Sequence, residues 1–94
     1  MATAVLTLHL RFPGCASLKE KRSIIKPILA RLHREFNVAS AELDLQDRWT
    51  EAVLGFSTIS SDAIQCERLL QGVIEFTART FRDVEILADH IEIL

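Results

Sequence analysis

A chain of 94 residues, 49% hydrophobic and 26% charged, has the length of one domain with a real core, burying about 60–65% of the surface its unfolded chain exposes. Eleven Lys and Arg against thirteen Asp and Glu leave a net charge of −2, which argues against indiscriminate attachment to nucleic acid or membrane and leaves room only for a local patch. Two cysteines make no disulfide framework, no basic lead precedes an apolar core at the N-terminus, and no run approaches the ~20 apolar residues of a spanning helix, so a soluble, cytoplasmic protein with no membrane partner is expected.

Ala4–Phe12 reads as a strand, with Leu6, Leu8, Leu10 and Phe12 alternating against Val5, Thr7, His9 and Arg11. The leucine set is expected to face the core. Pro13-Gly14 then breaks the strand and leaves Cys15 just ahead of a helix, where it reads as an incidental loop cysteine: no base or resolving partner adjoins it in sequence.

Ser17–Phe36 carries the strongest pattern in the chain. Leu18, Ile25, Ile28, Leu29, Leu32 and Phe36 fall on one stripe at helical spacing, and Ser17 with Glu20 three residues on has the form of a capping box. Pro27 inside this helix removes a backbone bond and predicts a bend. The segment also concentrates positive charge: Lys19, Lys21, Arg22, Lys26, Arg31 and Arg34 against Glu20 and Glu35, so the remainder of the chain carries six net negative charges. Lys19, Arg22 and Lys26 align beside the apolar stripe and His33 continues their flank. Three of the cations crowd the first turn, where the helix dipole favours anions and each costs about 0.3–1 kcal/mol. A bound phosphate would reverse that cost.

Asn37–Leu45 alternates again, setting Ala39, Ala41, Leu43 and Leu45 against Val38, Ser40, Glu42 and Asp44. Gln46-Asp47-Arg48 is a polar connection to a third strand, Trp49–Ser60, with Ala52, Leu54 and Phe56 opposite Val53, Gly55 and Ser57, and the two strands form a hairpin. A strand glycine such as Gly55 marks a close approach, by a partner or at a bulge. Asp62, with Gln65 three residues later, starts a second helix running to about Arg82, its buried stripe being Cys66, Leu69, Leu70, Val73, Thr77 and Phe81. Val84–Leu94 is a fourth strand, apolar on both alternating faces, in which Leu87, Ile91 and Ile93 are assigned to the helix side.

The order βαββαβ with two right-handed crossovers predicts an α+β, ferredoxin-like domain over residues 1–94, with both helices on one face of a four-stranded antiparallel sheet in the order 4-1-3-2. The helix-free face would carry Val5, Thr7, His9, Arg11, Val53, Gly55, Ser57 and Ile59. Half apolar, it suits a second copy in a homodimer or a small ligand. It lacks the central aromatics on which RNA-recognition modules stack bases. Trp49, the only tryptophan, is either a cover for the sheet edge or a hot spot and stacking platform.

Nothing identifies a reaction. Acylphosphatases share this size and topology but need an arginine in the loop after the first strand and an asparagine that positions water; Pro13-Gly14-Cys15-Ala16 supplies no arginine, and the only asparagine, Asn37, lies beyond the far end of the first helix. There is no phosphate-binding loop, no Gly-x-Ser-x-Gly and no zinc pattern. His9 and His90 lack a third ligand, and Glu42, Asp44, Asp47 and Glu51 read as a solvated or ion-paired surface. We therefore expect no enzyme, no catalytic residue, no metal and no cofactor.

Ser17-Leu18-Lys19-Glu20-Lys21-Arg22, Lys26-Pro27, Phe36-Asn37-Val38, Ala41-Glu42, Gln46-Asp47 with Trp49, and Ala52-Val53-Leu54-Gly55 together resemble the bacterial YlxP-like family, a domain of unknown function (family 503), over nearly the whole chain. The resemblance implies a ferredoxin-like fold and, through the genes that commonly neighbour such proteins, a role near the ribosome or RNA. Two readings follow. In one, Lys19, Arg22, Lys26, Arg31 and Arg34 bind phosphates of RNA or the ribosome, with no reading of DNA sequence. In the other, Val5, Thr7, His9, Arg11, Trp49, Val53 and Ser57 form a face for a homodimer or another partner.

Overall fold

Residues 1–94 are described by a computed structural model. The first strand, β1 (Ala2–Arg11), runs through the centre of the sheet, and its alternation is complete: Ala2, Ala4, Leu6, Leu8 and Leu10 are all buried. It begins two residues earlier than its apolar alternation suggested, because Ala2 pairs with Ser60 of the neighbouring strand. That neighbour, β3 (Glu51–Ser60), lies antiparallel with Leu6 opposite Phe56, Leu8 opposite Leu54 and Leu10 opposite Ala52. Residues directly opposite share a face, so these pairs form one apolar layer.

Two helices cover that layer. The first, α1 (Leu18–Phe36), contributes Ile25, Ile28 and Leu32, and the second, α2 (Ala63–Thr80), contributes Cys66, Leu70 and Val73. Ser17 caps α1 by accepting from the Glu20 amide at 3.0 Å, but the Glu20 carboxylate reaches back to the Ala16 amide at 3.1 Å instead of to that of Ser17, so the box is offset by one residue. The helix is continuous through Pro27 and ends where Asn37 turns left-handed at φ 52° and donates its N–H to the His33 carbonyl. Asp62 caps α2 through the Ile64 amide at 2.9 Å, with no part taken by Gln65, and α2 stops at Thr80, short of Arg82. Cys66 packs in the core as expected. Cys15 does too, 6% exposed with its thiol directed at the Ser17 carbonyl, so it is a small apolar core residue and not an incidental loop cysteine.

The outer strands are β2 (Ala39–Asp44), beside β3, and β4 (Glu85–Ile93), beside β1, giving the order β2-β3-β1-β4 and a ferredoxin-like βαββαβ topology. Each carries one irregularity, and the two account for what simple alternation mispredicted. In β4, Ile91 pairs with Leu6, Ala88 with His9 and Ile86 with Leu10, which leaves Leu87 as an extra residue. A single inserted residue reverses the inward parity of everything before it. Ile86 therefore packs against the core in place of Leu87, which is 46% exposed. Ile93 sits opposite Ala4 on the helix side but is 43% exposed at the end of an edge strand. In β2, Glu42 pairs with Leu54 and Asp44 with Val53, so Leu43 is extra; its side chain lies over Gly55, where a Cβ would stand 2.4 Å from Leu43 Cδ1. The close approach that Gly55 signals is made by the chain itself.

Candidate functional site

Leu18, Lys21, Ile25, Ile28 and Leu32 advance by alternating steps of three and four, the spacing of a single helical stripe. Lys21 therefore occupies a core position, and it is 1% exposed. Its ammonium donates to the carbonyls of Leu45 at 2.8 Å, Arg48 at 2.7 Å and Glu51 at 2.9 Å. These acceptors use all three of its protons. The Glu42 carboxylate, carried inward by β2, stands 3.1 Å away and balances the charge. Lys21 thus belongs to the interior, apart from the surface charge of α1.

The segment between β2 and β3 is wrapped around this ammonium. Leu45 is held at φ 62°, a left-handed conformation that costs a non-glycine residue about 1–3 kcal/mol and persists only where the surroundings fix it. Its amide donates to Asp44 Oδ1 and its carbonyl takes both the Arg48 amide, at 3.0 Å, and Lys21 Nζ. Trp49 belongs to this loop and not to β3, and it is 55% exposed. The motif residues of α1, β2 and the loop, far apart in sequence, thus meet at a single buried charge.

Outside this cradle, α1 presents Lys19, Arg22, Lys26 and Arg34 to solvent, and none has a carboxylate within ion-pairing distance. Lys19, Arg22 and Lys26 lie on the flank away from α2, together with His33, whose Nδ1 donates to the Val38 carbonyl. Arg31 is on the other flank. It is half-buried, pairs with Glu35 at 3.5 Å and lies 5.3 Å over the Phe76 ring, which also meets Phe36 edge-on and takes Arg79 at 5.8 Å. The structure therefore separates Arg31 from the cations with which its sequence position grouped it.

On the helix-free face, Val5, Thr7, His9, Arg11, Val53 and Ser57 do share one surface, as register requires: Val5 faces Ser57, Thr7 faces Gly55 and His9 faces Val53. The surface divides in two. One end is ionic and satisfied within the chain, with His9 Nε2 2.7 Å from Glu51, Arg48 3.8 Å from the same carboxylate, and Arg11 Nε donating to Glu85 at 2.8 Å. The other end is a shallow apolar depression of about 190 Å³ lined by Val5, Ala39, Ala41, Leu43, Gly55 and Ser57. His90 lies opposite Thr7, not His9, and no group of three metal-ligating side chains occurs anywhere in the chain. No helix is long and apolar enough to cross a membrane.

The fold and site define a ferredoxin-like α+β protein with an ammonium-centred loop and an unpaired cationic flank. The chain belongs to the family described as "Protein of unknown function (DUF503)", whose family model matches residues 3–91. It is similar to "Uncharacterized protein YlxP" of Bacillus subtilis (strain 168), 43% identical over 60 residues, and that match spans 64% of this chain and 65% of the relative, just under two thirds of its length. Among solved structures it resembles the de novo designed protein Foldit4, with a TM-score of 0.55 and 18% identity over 98% of this chain and 96% of the other. It also resembles SnoaB, described as a cofactor-independent oxygenase from Streptomyces nogalater, with a TM-score of 0.54 and 14% identity over 98% of this chain and 90% of that one. At such identity both likenesses concern the fold alone.

Proposed function

We propose that this protein is a non-enzymatic, RNA- or ribosome-associated binding factor whose contact surface is the outer flank of α1. The observation that carries this reading is that Lys19, Arg22 and Lys26 are exposed, free of carboxylates and on one side of the helix, while Arg11, Arg31 and Arg48 are paired. Lys19 also sits in the first turn, where the backbone dipole opposes cations and a bound phosphate relieves that opposition. Binding rather than catalysis suits a molecule in which the one close acid–base pair, His9 with Glu51, lines none of the surface depressions.

Salt-dependent binding to ribosomal subunits and to structured RNA tests the reading. Four cations meeting phosphates, Arg34 included, give a slope of log affinity on log salt of about −3. The variant Lys19→Glu/Arg22→Glu/Lys26→Glu is expected to abolish binding, and unchanged affinity would refute the proposal.

A second reading, a homodimer or small-ligand module using the helix-free face, is favoured by the apolar end of that face, where Leu43 is 52% and Ile59 64% exposed. Light scattering at high protein concentration checks it: a monomer removes the dimer form.

A further inference from the structure

The cationic flank and the sheet edge beneath it run side by side over a similar length. Three contacts set their relative direction: His33 with the Val38 carbonyl, Ser40 Oγ donating to the Leu29 carbonyl, and Lys21 with Glu42. As β2 advances, α1 therefore retreats. From Lys19 to His33 the helix axis covers about 21 Å, and β2 from Ala39 to Asp44 covers about 17 Å. No strand lies outside β2, so the backbone groups on its outer side have no partner in the sheet. Trp49 lies at the end of this shelf where Lys19 and Arg22 are found. The bond from Lys21 Nζ to the Arg48 carbonyl places Arg22 and Trp49 each one residue from the same contact.

We infer that the shelf is the seat of an unpaired, single RNA strand: its phosphates on Lys19, Arg22 and Lys26, its base edges turned towards β2, and one base stacked on Trp49. This rests on the RNA-binding reading and deepens it from nucleic acid in general to the single-stranded form. Three features select that form. A duplex hides its base faces, so an exposed tryptophan and an open strand edge would be idle against it, whereas a single strand uses both. The two walls differ in charge, cations on the helix side and the exposed Asp47, which has no ion-pair partner, on the loop side, so phosphates are drawn to one wall and base amines to the other. The bulge at Leu43 interrupts the regular edge after Glu42, which disfavours the alternative occupant of such an edge, an acidic peptide added as a further strand. The loop is also preorganised: the Lys21 cradle orders it before anything binds, so little ordering entropy is lost on stacking.

Trp49 is the only tryptophan, so its fluorescence reports on this one position. The full chain is titrated with a labelled, unstructured oligoribonucleotide of about ten nucleotides, with a hairpin duplex of the same length, and with polyglutamate, following both tryptophan quenching and label anisotropy. Expected results are quenching by the single strand and at least about tenfold tighter binding than to the duplex. Trp49→Ala should weaken single-strand binding about tenfold while leaving duplex binding unchanged. Lys26→Gln, with the tryptophan intact, should reduce the salt slope by about 0.7 for the single strand. Equal or tighter duplex binding, or single-strand binding indifferent to Trp49→Ala, overturns the inference while the broader RNA-binding reading stands. Failure of both RNAs overturns the two together, and polyglutamate binding tighter than either RNA replaces them with a peptide.

Discussion

Lys21 and its neighbours Lys19 and Arg22 share a helix turn, and their fates are opposite. Lys21 falls on the apolar stripe, is 1% exposed, donates to three carbonyls and stands beside the Glu42 carboxylate. Lys19 and Arg22 fall on the outer flank and meet nothing within the chain. A buried charge is tolerated only when every proton has an acceptor, so the Lys21 site needs its partners as much as they need it. A surface cation carries no such obligation and is free for a ligand. Angular position on the helix, not residue type, separates the structural cations of this segment from the available ones.

Substitutions rank accordingly, and each can break the distinction. Lys21→Met leaves the half-buried Glu42 without its counter-charge and takes a donor from three carbonyls, of which only that of Leu45 keeps another, so a loss of about 3–5 kcal/mol is expected, which thermal denaturation would read as a drop on the order of 15–30 °C. A melting curve that barely moves would mean that the cradle is not what holds the loop. Glu42→Gln keeps the three carbonyl contacts and removes only the neutralising charge, and chemical denaturation should show a smaller loss of about 1.5–3 kcal/mol. Ser17→Ala removes the cap on the Glu20 amide for about 1 kcal/mol, measured in the same way. At the bottom of the scale, Lys19→Glu, Arg22→Glu and Lys26→Glu should each alter stability by no more than about 0.5 kcal/mol. For Lys19 the sign should favour the acidic variant, because the change suits the helix dipole in its first turn. If this last set unfolded the protein, the cations would be structural after all, and loss of RNA binding would carry no meaning.

The edge strands repeat the contrast between pattern and environment. β1 and β3 lie between neighbours on both sides, and their core residues follow strict alternation from Ala2 to Leu10 and from Ala52 to Phe56. β2 and β4 have one neighbour each, and each takes in one extra residue, Leu43 or Leu87. An edge can absorb an insertion because only one ladder has to adjust. For that reason period-two reading succeeded in the middle of the sheet and assigned Leu87 to the wrong side at its margin. The same margin carries the candidate site, since the unpaired side of β2 lies beneath the cationic flank.

Much of the site was legible from spacing alone. Lys19, Arg22 and Lys26 were placed together because helical geometry repeats regardless of what the helix packs against. The burial of Lys21 was signalled by the same geometry, through its place in the run from Leu18 to Leu32, and was masked by the habit of reading lysine as surface. Arg31 was misgrouped because composition ignores angle: it looks towards Phe76 of α2 and is held by Glu35, one turn further along α1.

The local sequence by itself determined the six elements, the cap at Ser17, the two central strands and the family, because caps, periodicity and short motifs depend only on near neighbours along the chain. Tertiary structure decided the rest. Only packing could bring Lys21 to the carbonyls of Leu45, Arg48 and Glu51, expose Trp49 beside that contact and lay a row of cations along an open strand edge. The physical reason is that each of these depends on which groups are removed from water together, and that is a property of the whole fold.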